Sequence, residues 1–410
     1  MPPIRRRDRV RLQGRTDEQI DDGDALPDDA LAAAFSRFSD VANLVRCASA
    51  CRLWGRIVTT RACSLAHALP PPRRWIPRFA IGVFHQENDA PTARTCRRSA
   101  PAAPPCFVPI ASAAPRLIGG LFNNSRPVAS RNGLLVLELQ REGHADGLRL
   151  CVCNPMSMLP PLSGQEKPRD YGCAVLTGGD LHPRLTASFH VLLLYNRPGF
   201  TALRCYSSSS QAGGEWGPEA KSSVKISSWK LRQIGQAVVR RGVAFWPLDH
   251  GALGVRVSAT APQVAEMHLL PYVVPHYWPG SRLLGVTPDD RLFFIYFGIC
   301  VDILIAKISY FTIHGDDIGG GKGQGSFLEE AVLMTLMKMT CHDTLKLRWV
   351  CEKSGLVFFT LGQSSGHSGT FALNLDKKLV DKVTDGEGDT WKNFVGYEMD
   401  TAGYLASIAP

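Results

Sequence analysis

The chain lacks the sequence signals that identify secreted proteins and zinc proteases. Its first fifteen residues, MPPIRRRDRVRLQGR, are not followed by the apolar stretch that a secretory signal peptide requires. No H-E-x-x-H motif occurs among the 410 residues. We therefore expect a protein of the cytoplasm, the nucleus or both, and we expect no zinc-protease activity.

Long hydrophobic runs are also scarce. The longest, LFFIYFGICVDILIAKI at residues 292–308, carries Asp302 in its interior and Gly298 near its middle. A membrane-spanning helix needs about 20 apolar residues and tolerates few charges. The run therefore predicts two buried strands joined by a turn, with no membrane partner.

The twelve cysteines follow no regular spacing, so we expect reduced thiols in the core and no disulfide framework. Cys151 and Cys153 alternate in a strand-like run and should face the same side. A zinc site would need a second close pair of ligands, which His144 and His182 do not supply. The glycine-rich stretch at residues 319–326 lacks phosphate-loop spacing because Gly323 follows Lys322. We expect no metal and no cofactor.

The net charge of +9 is unevenly distributed. Residues 46–131 carry 13 basic and 2 acidic side chains, whereas residues 132–410 carry 26 of each. Part of the excess lies in a Pro/Ala/Arg-rich segment near residues 90–105, which predicts a solvated basic loop. A contact with an acidic partner and a weak nuclear-import signal are the alternatives, and nucleic acid is not an expected partner.

Residues 26–58, LPDDALAAAFSRFSDVANLVRCASACRLWGRIV, show helical periodicity. Pro27 suits the first turn of a helix, and Ser39 and Asp40 are residue types that cap a new one. Apolar residues at spacings of three and four predict three short helices. So small a unit normally completes its core elsewhere. The alternatives are another protein or the rest of its own chain, as in an ordinary helical hairpin.

The residue order of this segment closely resembles the F-box. The family pattern is Leu-Pro-acidic-x-Leu, Ser-Arg-Phe, Leu-x-Arg, Cys-Arg-x-Trp and Ile-Val. The matching positions are Leu26, Pro27, Asp29, Leu31, Phe35, Ser36, Arg37, Phe38, Leu44, Arg46, Cys51, Arg52, Trp54 and Ile57. Ala30, Ala34 and Ala50 stand where the family usually carries larger aliphatic residues, so the resemblance implies a weaker adaptor contact than is typical.

The resemblance implies that this segment binds a Skp-type adaptor and so joins a cullin–RING ubiquitin ligase. The implied adaptor-binding residues are Leu26, Pro27, Leu31, Phe35, Phe38, Leu44, Val45, Cys51, Trp54 and Ile57. The chain itself would perform no bond chemistry. The remaining chain would hold an unknown protein substrate, for which Trp216, Trp278 and Arg282 are candidate contacts because they lie in Gly/Pro-rich segments. For either tryptophan, a role in the domain core is the alternative.

From about residue 79, short apolar runs alternate with Gly, Pro, Ser and Asn turns, which predicts an all-β domain. SRNGLLVLEL, RRGVAFWPL and EKSGLVFFTL share one pattern, with Gly133, Gly242 and Gly355 about 110 residues apart. Two repeats of about 55 residues in each gap are typical of kelch-type blades. The expected fold is a small all-α unit of three helices followed by a β-propeller, with six blades favoured and seven possible.

We expect a disordered basic tail at residues 1–22, an F-box at 23–65, a linker at 66–78 and the propeller-like domain at 79–410. The last would contain a glycine-rich loop and a helix near residues 315–340, because FLEEAVLMTLMKM at residues 327–339 has an apolar helical face. This large domain resembles the associated domain of plant F-box proteins, through NGLLVL with CNP, RRGVAFW, EKSGLVFF and YEMDTAGYL. The alternatives are a binding module whose F-box no longer works and a propeller hydrolase.

Overall fold

A computed structural model describes most of the chain from residue 26 onward. The described ranges are residues 26–70, 72–86, 105–110, 125–139, 147–154, 161–163, 170–181, 188–208, 214–222, 224–248, 251–258, 261, 263–271, 282–300, 303–311, 332–338, 344–362, 368–386 and 390–408. The predicted basic tail, the Pro/Ala/Arg-rich loop up to residue 104 and the glycine-rich loop at residues 319–326 lie outside these ranges.

The N-terminal unit is helical, as predicted, but it has four helices and not three. These are α1 (Asp28–Phe35), α2 (Val41–Ala50), α3 (Arg52–Thr60) and α4 (Ala62–Ala68). The side chain of Asp40 caps α2 by accepting a hydrogen bond of 3.1 Å from the Ala42 amide. Helix α4 crosses the predicted boundary at residue 65, because Ala62 and Leu65 give it a buried face that continues the core.

The helical unit completes its core within its own chain. A C-terminal helix, α7 (Thr401–Ala406), packs against α3 and α4 and places Leu405, which is fully buried, among their apolar residues. Tyr404 and Ile408 pack at the edge of the same cluster. Burial of this apolar surface stabilises a unit that is too small to hold a core alone.

Residues 66–78, which were predicted to be a linker, are structured where they are described. They contain the end of α4, and a short 3-10 turn at Pro77–Phe79 follows. The Ile76 amide donates a hydrogen bond of 2.8 Å to the carbonyl of Lys353, more than 250 residues later in the chain. The segment therefore fastens the helical unit to the β domain.

The described part of the β domain forms six antiparallel sheets, which we number in the order in which their first strands occur in the sequence. The first sheet contains β1 (Ala80–Gln86), β2 (Cys106–Pro109) and β24 (Lys392–Glu398). The second contains β3 (Ser125–Arg131), β4 (Leu134–Leu139), β5 (Arg149–Cys153) and β6 (Pro161–Ser163). The third contains β7 (Tyr171–Thr177), β8 (Phe189–Arg197), β9 (Phe200–Ser207), β10 (Glu215–Trp216) and β11 (Ala220–Lys221).

The remaining sheets repeat the four-stranded order. The fourth contains β12 (Val238–Arg240), β13 (Val243–Leu248), β14 (Gly251–Val257) and β15 (Val264–Pro271). The fifth contains β16 (Arg282–Val286), β17 (Leu292–Cys300), β18 (Ile303–Phe311) and β19 (Val332–Lys338). The sixth contains β20 (Leu345–Val350), β21 (Leu356–Leu361), β22 (Gly369–Asn374) and β23 (Leu379–Thr384). Two short helices, α5 (Gly178–Leu181) and α6 (Ser228–Arg232), lie in connections.

Hydrophobic clusters join each sheet to the next in chain order and the sixth to the first. One edge strand of each sheet faces the others: β24 lies beside β3, β3 beside β7, β12 beside β16, β16 beside β20, and β20 beside β24. We call β3, β7, β12, β16, β20 and β24 the inner strands. The six sheets therefore pack as a ring, and the first sheet combines the earliest β strands with the last.

Two predictions about particular segments have opposite outcomes. The apolar run at residues 292–308 forms β17 and most of β18, as predicted. The predicted helix at residues 327–339 is wrong over its described part, which is strand β19 paired with β18. Backbone pairing with a neighbouring strand outweighs the weak helical preference of a segment that contains Val332 and Thr335.

The three repeat glycines have positive φ, which glycine adopts without strain. Gly133, Gly242 and Gly355 have φ of 77°, 73° and 66°, and each lies in the turn between the first and second strands of a four-stranded sheet. Gly355 has a further constraint, because a Cβ built there would lie 2.5 Å from Cγ of Trp75. This turn holds the connection between the helical unit and the sheets.

Gly355→Ala is expected to lower the free energy of unfolding by about 2 kcal/mol or more. A left-handed conformation alone costs an alanine roughly 1–2 kcal/mol, and the displacement of Trp75 adds to this cost. Gly199→Ala is the matched control, because Gly199 has φ of 90° and no atom within 4 Å of its built Cβ. Chemical denaturation of both variants measures the difference. Equal losses would show that the contact with Trp75 contributes nothing.

Candidate functional site

The ten residues predicted to bind an adaptor divide into three groups in the helical unit. Leu31, Phe35, Leu44 and Ile57 are buried in its core. Phe38, Val45 and Trp54 are half-buried, and Leu26, Pro27 and Cys51 are exposed. The first group shapes the unit and the other two are accessible to a partner. Periodicity alone does not separate them, because burial depends on how the four helices pack on one another and on α7, which lies at the other end of the sequence.

The accessible surface includes two large aliphatic side chains. Leu26 is 64% exposed and Leu53 is 37% exposed. Asp28 pairs with Arg56 at 3.1 Å and holds the start of α1 against α3, the helix that carries Leu53. Such surface ion pairs contribute little stability, but they fix the orientation of α1.

The three positions with smaller side chains than is usual in the F-box all face solvent. Ala30, Ala34 and Ala50 are exposed. Their small size therefore leaves the core of the unit intact. It removes apolar area from the surface that a partner would cover, at roughly 25 cal/mol per Å².

A second feature is a cavity of about 310 Å³ beside four of the inner strands. Segments of β3, β7, β20 and β24 line it, together with the residues between α6 and β12. Four arginines and one aspartate are the ionisable residues of its lining, in addition to Tyr171 and Cys173. A cavity of this size is comparable with ligand pockets in other proteins.

An ion-pair network closes the end of the cavity at which the inner strands finish. Arg131, at the end of β3, donates to Asp180 at 2.8 Å and also pairs with Glu352. These three side chains are 13–15% exposed. The Thr177 amide donates a further hydrogen bond of 2.8 Å to Asp180. We call this arrangement the closed end.

Burial and pairing act against each other at the closed end. Burial alone would raise the pKa of Asp180, but the charge of Arg131 and the hydrogen bonds from Arg131 and Thr177 hold that pKa below its ordinary value. Burial raises the pKa of Glu352 above its ordinary value, despite the charge of Arg131. Burial also lowers the pKa of Lys353. The network depends on Arg131, which is its central cation.

The helical unit lies at the closed end. Lys353 accepts the hydrogen bond from Ile76, and its ammonium lies 5.9 Å from the ring of Phe79. Asp400, which caps α7, lies against the turn glycine Gly133. The opposite end of the cavity, where the inner strands begin, is therefore the end remote from the helical unit. We call it the open mouth.

Arginines surround the open mouth. Arg126 donates to Glu138 at 2.8 Å and lies over the ring of Tyr171. Arg232 of α6 donates to Asp170 at 2.9 Å. The side chains of Arg126 and Arg232 are 38% and 65% exposed, against 15% for Arg131. The two arginines at the mouth are therefore more exposed than Arg131 at the closed end.

His85 provides a pH-dependent contact beside the mouth. It is 2% exposed, its ring stacks on Trp391 with 3.5 Å between centroids, and its Nδ1 has no hydrogen-bond partner within the described structure. Burial, with a smaller contribution from Arg348, lowers the pKa of His85 to about 4. The imidazole is therefore neutral in the folded protein at neutral pH.

His85→Phe is expected to reduce the loss of stability in weak acid. In the unfolded chain a histidine gains its proton near pH 6.5, whereas folded His85 gains one only near pH 4. The unfolded state therefore binds more protons as the pH falls from 6.5 to 4, which costs up to about 3 kcal/mol. Unfolding free energies measured across this range should fall less steeply in the variant. His268→Phe on β15 is the control, and equal slopes in the two variants would contradict the assignment.

The three candidate substrate contacts have different outcomes. Trp216 is half-buried, packs on Tyr206 with 5.5 Å between ring centroids, and belongs to the edge of a core cluster. This is the alternative role in the domain core. Trp278 lies outside the described residues. Arg282 begins β16 and donates to the carbonyl of Leu248, so it joins two sheets.

The closed-end residues were not identified from sequence. The available signal was the repeat itself, because Arg131 and Glu352 each stand two or three residues before a repeat glycine. Asp180 does not stand close to any of the three repeat glycines in the sequence. Only the packing of the sheets brings these side chains together.

GQSSG at residues 362–366 has the G-x-S-x-G spacing of a nucleophile elbow, but the motif after Gly362 lies outside the described ranges. No three His, Cys, Asp or Glu side chains within the described ranges could hold a metal ion. None of the helices described has the length and apolar character needed to cross a membrane.

Nine of the cysteines in the described ranges are thiols that form no disulfide bond. Five of them are buried, including Cys151 and Cys153, which share one core cluster as the strand alternation predicts. Burial raises the pKa of Cys205 to about 12. The Cys205 thiol is therefore protonated at neutral pH, as expected for a core cysteine.

Comparisons by sequence found no matching family model and no matching curated protein. Solved structures with some likeness include a puromycin hydrolase mutant, at 12% identity and a TM-score of 0.34, covering 63% of this chain and 39% of that one. Another is an α-L-arabinanase from Penicillium chrysogenum complexed with arabinobiose, at 10% identity and a TM-score of 0.33, covering 68% of this chain and 83% of that one. A third is an α-L-arabinofuranosidase from Fusarium graminearum, at 9% identity and a TM-score of 0.34, covering 63% and 79%. Likeness at this level carries no argument about function.

Proposed function

We propose that this chain is a substrate-receptor subunit of an SCF-type cullin–RING ubiquitin ligase and acts in the cytoplasm, the nucleus or both. The observation that carries the proposal is the residue order of residues 26–58, which matches the F-box pattern at the positions given above and departs from it at Ala30, Ala34 and Ala50. The same residues fold into a compact helical unit that leaves Leu26 and Leu53 exposed.

In this proposal, six of the predicted residues contact the Skp-type adaptor directly. They are the exposed and half-buried ones: Leu26, Pro27, Phe38, Val45, Cys51 and Trp54. The buried residues Leu31, Phe35, Leu44 and Ile57 act by holding the helices in place. The aromatic contact between Phe35 and Trp54, with 5.7 Å between ring centroids, links the two groups.

We infer that the six sheets are the blades of a six-bladed β-propeller. Support comes from the ring of hydrophobic clusters, the repeated strand order and the inner position of one edge strand from every sheet. Pairing of β24 with β1 would close the ring by joining the two ends of the domain in one blade. Such closure protects strand edges from non-native pairing.

The geometry suits a receptor. The helical unit lies at the closed end of the cavity and the mouth lies at the other end. An adaptor and a substrate would therefore bind opposite sides of the folded protein. The chain would contribute no catalytic group. It would hold a substrate lysine near a conjugating enzyme, which raises the effective concentration of the two reactants.

A pull-down with a purified Skp-type adaptor tests the proposal. The full chain is expected to be retained, and the double variant Leu26→Ala/Pro27→Ala to lose at least tenfold in affinity. Leu379→Ala is the matched control, since Leu379 is a leucine with 58% exposure on the outer strand β23. Failure of the full chain to bind, beside an established F-box protein that binds, would overturn the proposal.

A second candidate is a binding module that works outside a ligase and carries a vestigial F-box. The exposure of Ala30, Ala34 and Ala50 favours it, because small side chains at exposed positions reduce the apolar area available to an adaptor. This candidate would be supported if the cellular effect of the full chain persisted after residues 26–60 are deleted. Restoration of larger aliphatic residues at the three positions should strengthen adaptor binding if the first proposal holds.

A further inference from the structure

Cys151 and Cys153 of β5 form a pair of neighbouring thiols. Side chains alternate along a strand, so residues 151 and 153 point to the same face. The packing agrees with this alternation, because both cysteines belong to a core cluster that includes the first sheet, whereas Leu150 and Val152 belong to one that includes the third. Neither cysteine forms a disulfide bond.

A hydrogen bond joins the two thiols and makes them chemically unequal. The Cys153 thiol donates to the Cys151 sulfur, which lowers the pKa of Cys151 against the effect of burial. The same bond, together with burial, raises the pKa of Cys153. A hydrogen bond to the charged form of a group favours that form. Cys151 is therefore the nucleophilic sulfur of the pair, and Cys153 keeps its proton.

Two other buried thiols show that the paired neighbour is responsible. Cys173 is 9% exposed and Cys205 is not exposed at all, and burial is the main cause that raises the pKa of each to about 12. Cys151 is 7% exposed, within the same range. Its lower pKa follows from the hydrogen bond with Cys153 and not from greater exposure. Because the thiolate is the form that reacts, Cys151 is the more reactive of these buried thiols.

The spacing of the pair allows a disulfide, but a strained one. Two steps along a strand separate Cα atoms by about 6.6 Å, and disulfides usually join Cα atoms that are about 4.4–6.8 Å apart. The bond would therefore pull residues 151–153 together. It would close a loop with a single intervening residue, so the cross-link adds little stability to offset the strain. Strained disulfides are the readily reduced ones, so the bond would be reversible.

The pair lies next to contacts that join the first and second sheets. Tyr397 of the inner strand β24 is 1% exposed, and its hydroxyl donates a hydrogen bond of 3.0 Å to the carbonyl of the turn glycine Gly133. The same hydroxyl lies 3.5 Å from Oδ1 of Asn154, the residue that follows Cys153. A displacement of residues 151–154 would therefore reach the contact between the two sheets.

We propose that Cys151 and Cys153 are an oxidation site at which hydrogen peroxide forms a reversible disulfide, and that this bond loosens the contact between the first and second sheets. The Cys151 thiolate attacks one peroxide oxygen, the O–O bond breaks and hydroxide leaves, which gives a sulfenic acid on Cys151. Cys153 then loses its proton and its sulfur attacks the Cys151 sulfur. The S–O bond breaks and water leaves. Two thiols are oxidised to one disulfide, and one peroxide is reduced to two molecules of water.

Mapping of the cysteines in the full chain after peroxide treatment tests the proposal. Remaining thiols are alkylated under denaturing conditions, and tryptic peptides are analysed by mass spectrometry. The tryptic peptide at residues 150–169 contains no other cysteine, so an internal disulfide there is unambiguous. We expect Cys151 and Cys153 to lose alkylation together, at least about tenfold faster than Cys173 and Cys205. Excess glutathione should restore both thiols.

The structural effect is measured by thermal unfolding of the same samples. The disulfide is expected to lower the midpoint of unfolding by about 2 °C or more, and glutathione should reverse the shift. Cys153→Ser should form no disulfide, and dimedone should detect the sulfenic acid left on Cys151. Cys351→Ser is the matched control, because Cys351 is a fully buried thiol of the same cluster, and it should keep the disulfide.

Three results would overturn the proposal. One is oxidation of Cys151 and Cys153 no faster than that of Cys173 and Cys205. Another is a disulfide that joins either residue to Cys351. The third is a disulfide between Cys151 and Cys153 that leaves the midpoint of unfolding unchanged. The mapping uses the unmodified chain, so it decides the chemistry even if a variant fails to fold. None of these results depends on adaptor binding.

Discussion

Arg131→Met is expected to lower the free energy of unfolding by about 3–5 kcal/mol, the loss typical of breaking a buried ion pair from one side. The methionine would leave Asp180 and Glu352 facing each other at the closed end without their shared cation. Both carboxylates are largely buried, so water can replace little of what Arg131 provides. Urea denaturation followed by tryptophan fluorescence measures the loss.

Two further variants test the reason for this loss. Arg131→Lys keeps the charge but cannot donate to both carboxylates with a planar fork, so it should fall between the unmodified chain and Arg131→Met. Arg232→Met breaks a pair whose arginine is 65% exposed and should cost less than about 1 kcal/mol. If Arg131→Met cost no more than Arg232→Met, the closed end would not be held by its ion pairs.

Leu405→Ala is expected to lower the free energy of unfolding of the helical unit by about 2–5 kcal/mol. Leu405 is fully buried in the core that α7 shares with α3 and α4, and truncation leaves a cavity there. Because this core positions Leu26, Phe38 and Trp54, adaptor affinity should fall as well. Helical circular dichroism during thermal unfolding and the adaptor pull-down report the two effects.

The matched control for this prediction is Leu379→Ala. It deletes the same atoms from a leucine that is 58% exposed, and it should change stability by no more than about 0.5 kcal/mol. A Leu405→Ala variant with unchanged stability would mean that the helical unit holds its core without α7. The C-terminal helix would then be a passive neighbour.

Local sequence patterns predicted the strands that bury apolar residues on both faces. Runs such as GLLVLEL and LVFFTLG form β4 and β21, and the glycine before each adopts the left-handed conformation that the repeat indicates. The patterns failed where pairing decides the structure. Strand β19 carries a helix-like spacing of apolar residues, yet it adds to the edge of β18 and becomes extended.

The candidate sites depend more on long-range contacts than the strands do. The residues that resemble the F-box indicated the helices, but they did not indicate that Leu31 and Ile57 are internal while Leu26 is exposed, because that difference depends on how the helices pack on one another and on α7. The arginines of the mouth come from β3, α6 and β20. These arginines converge because separate sheets pack together, and local periodicity does not predict that packing.

The pairing of β1 with β24 has a consequence for synthesis of the protein. All seven residues of β1 are buried in the finished structure, and Phe84 pairs with Val395. A ribosome that has completed β1 must add about 300 residues before its partner exists, which takes roughly 15–60 s at ordinary translation rates. Throughout that time the edge of β1 that pairs with β24 has no partner strand. We expect the nascent chain to depend on chaperones until its last strand emerges.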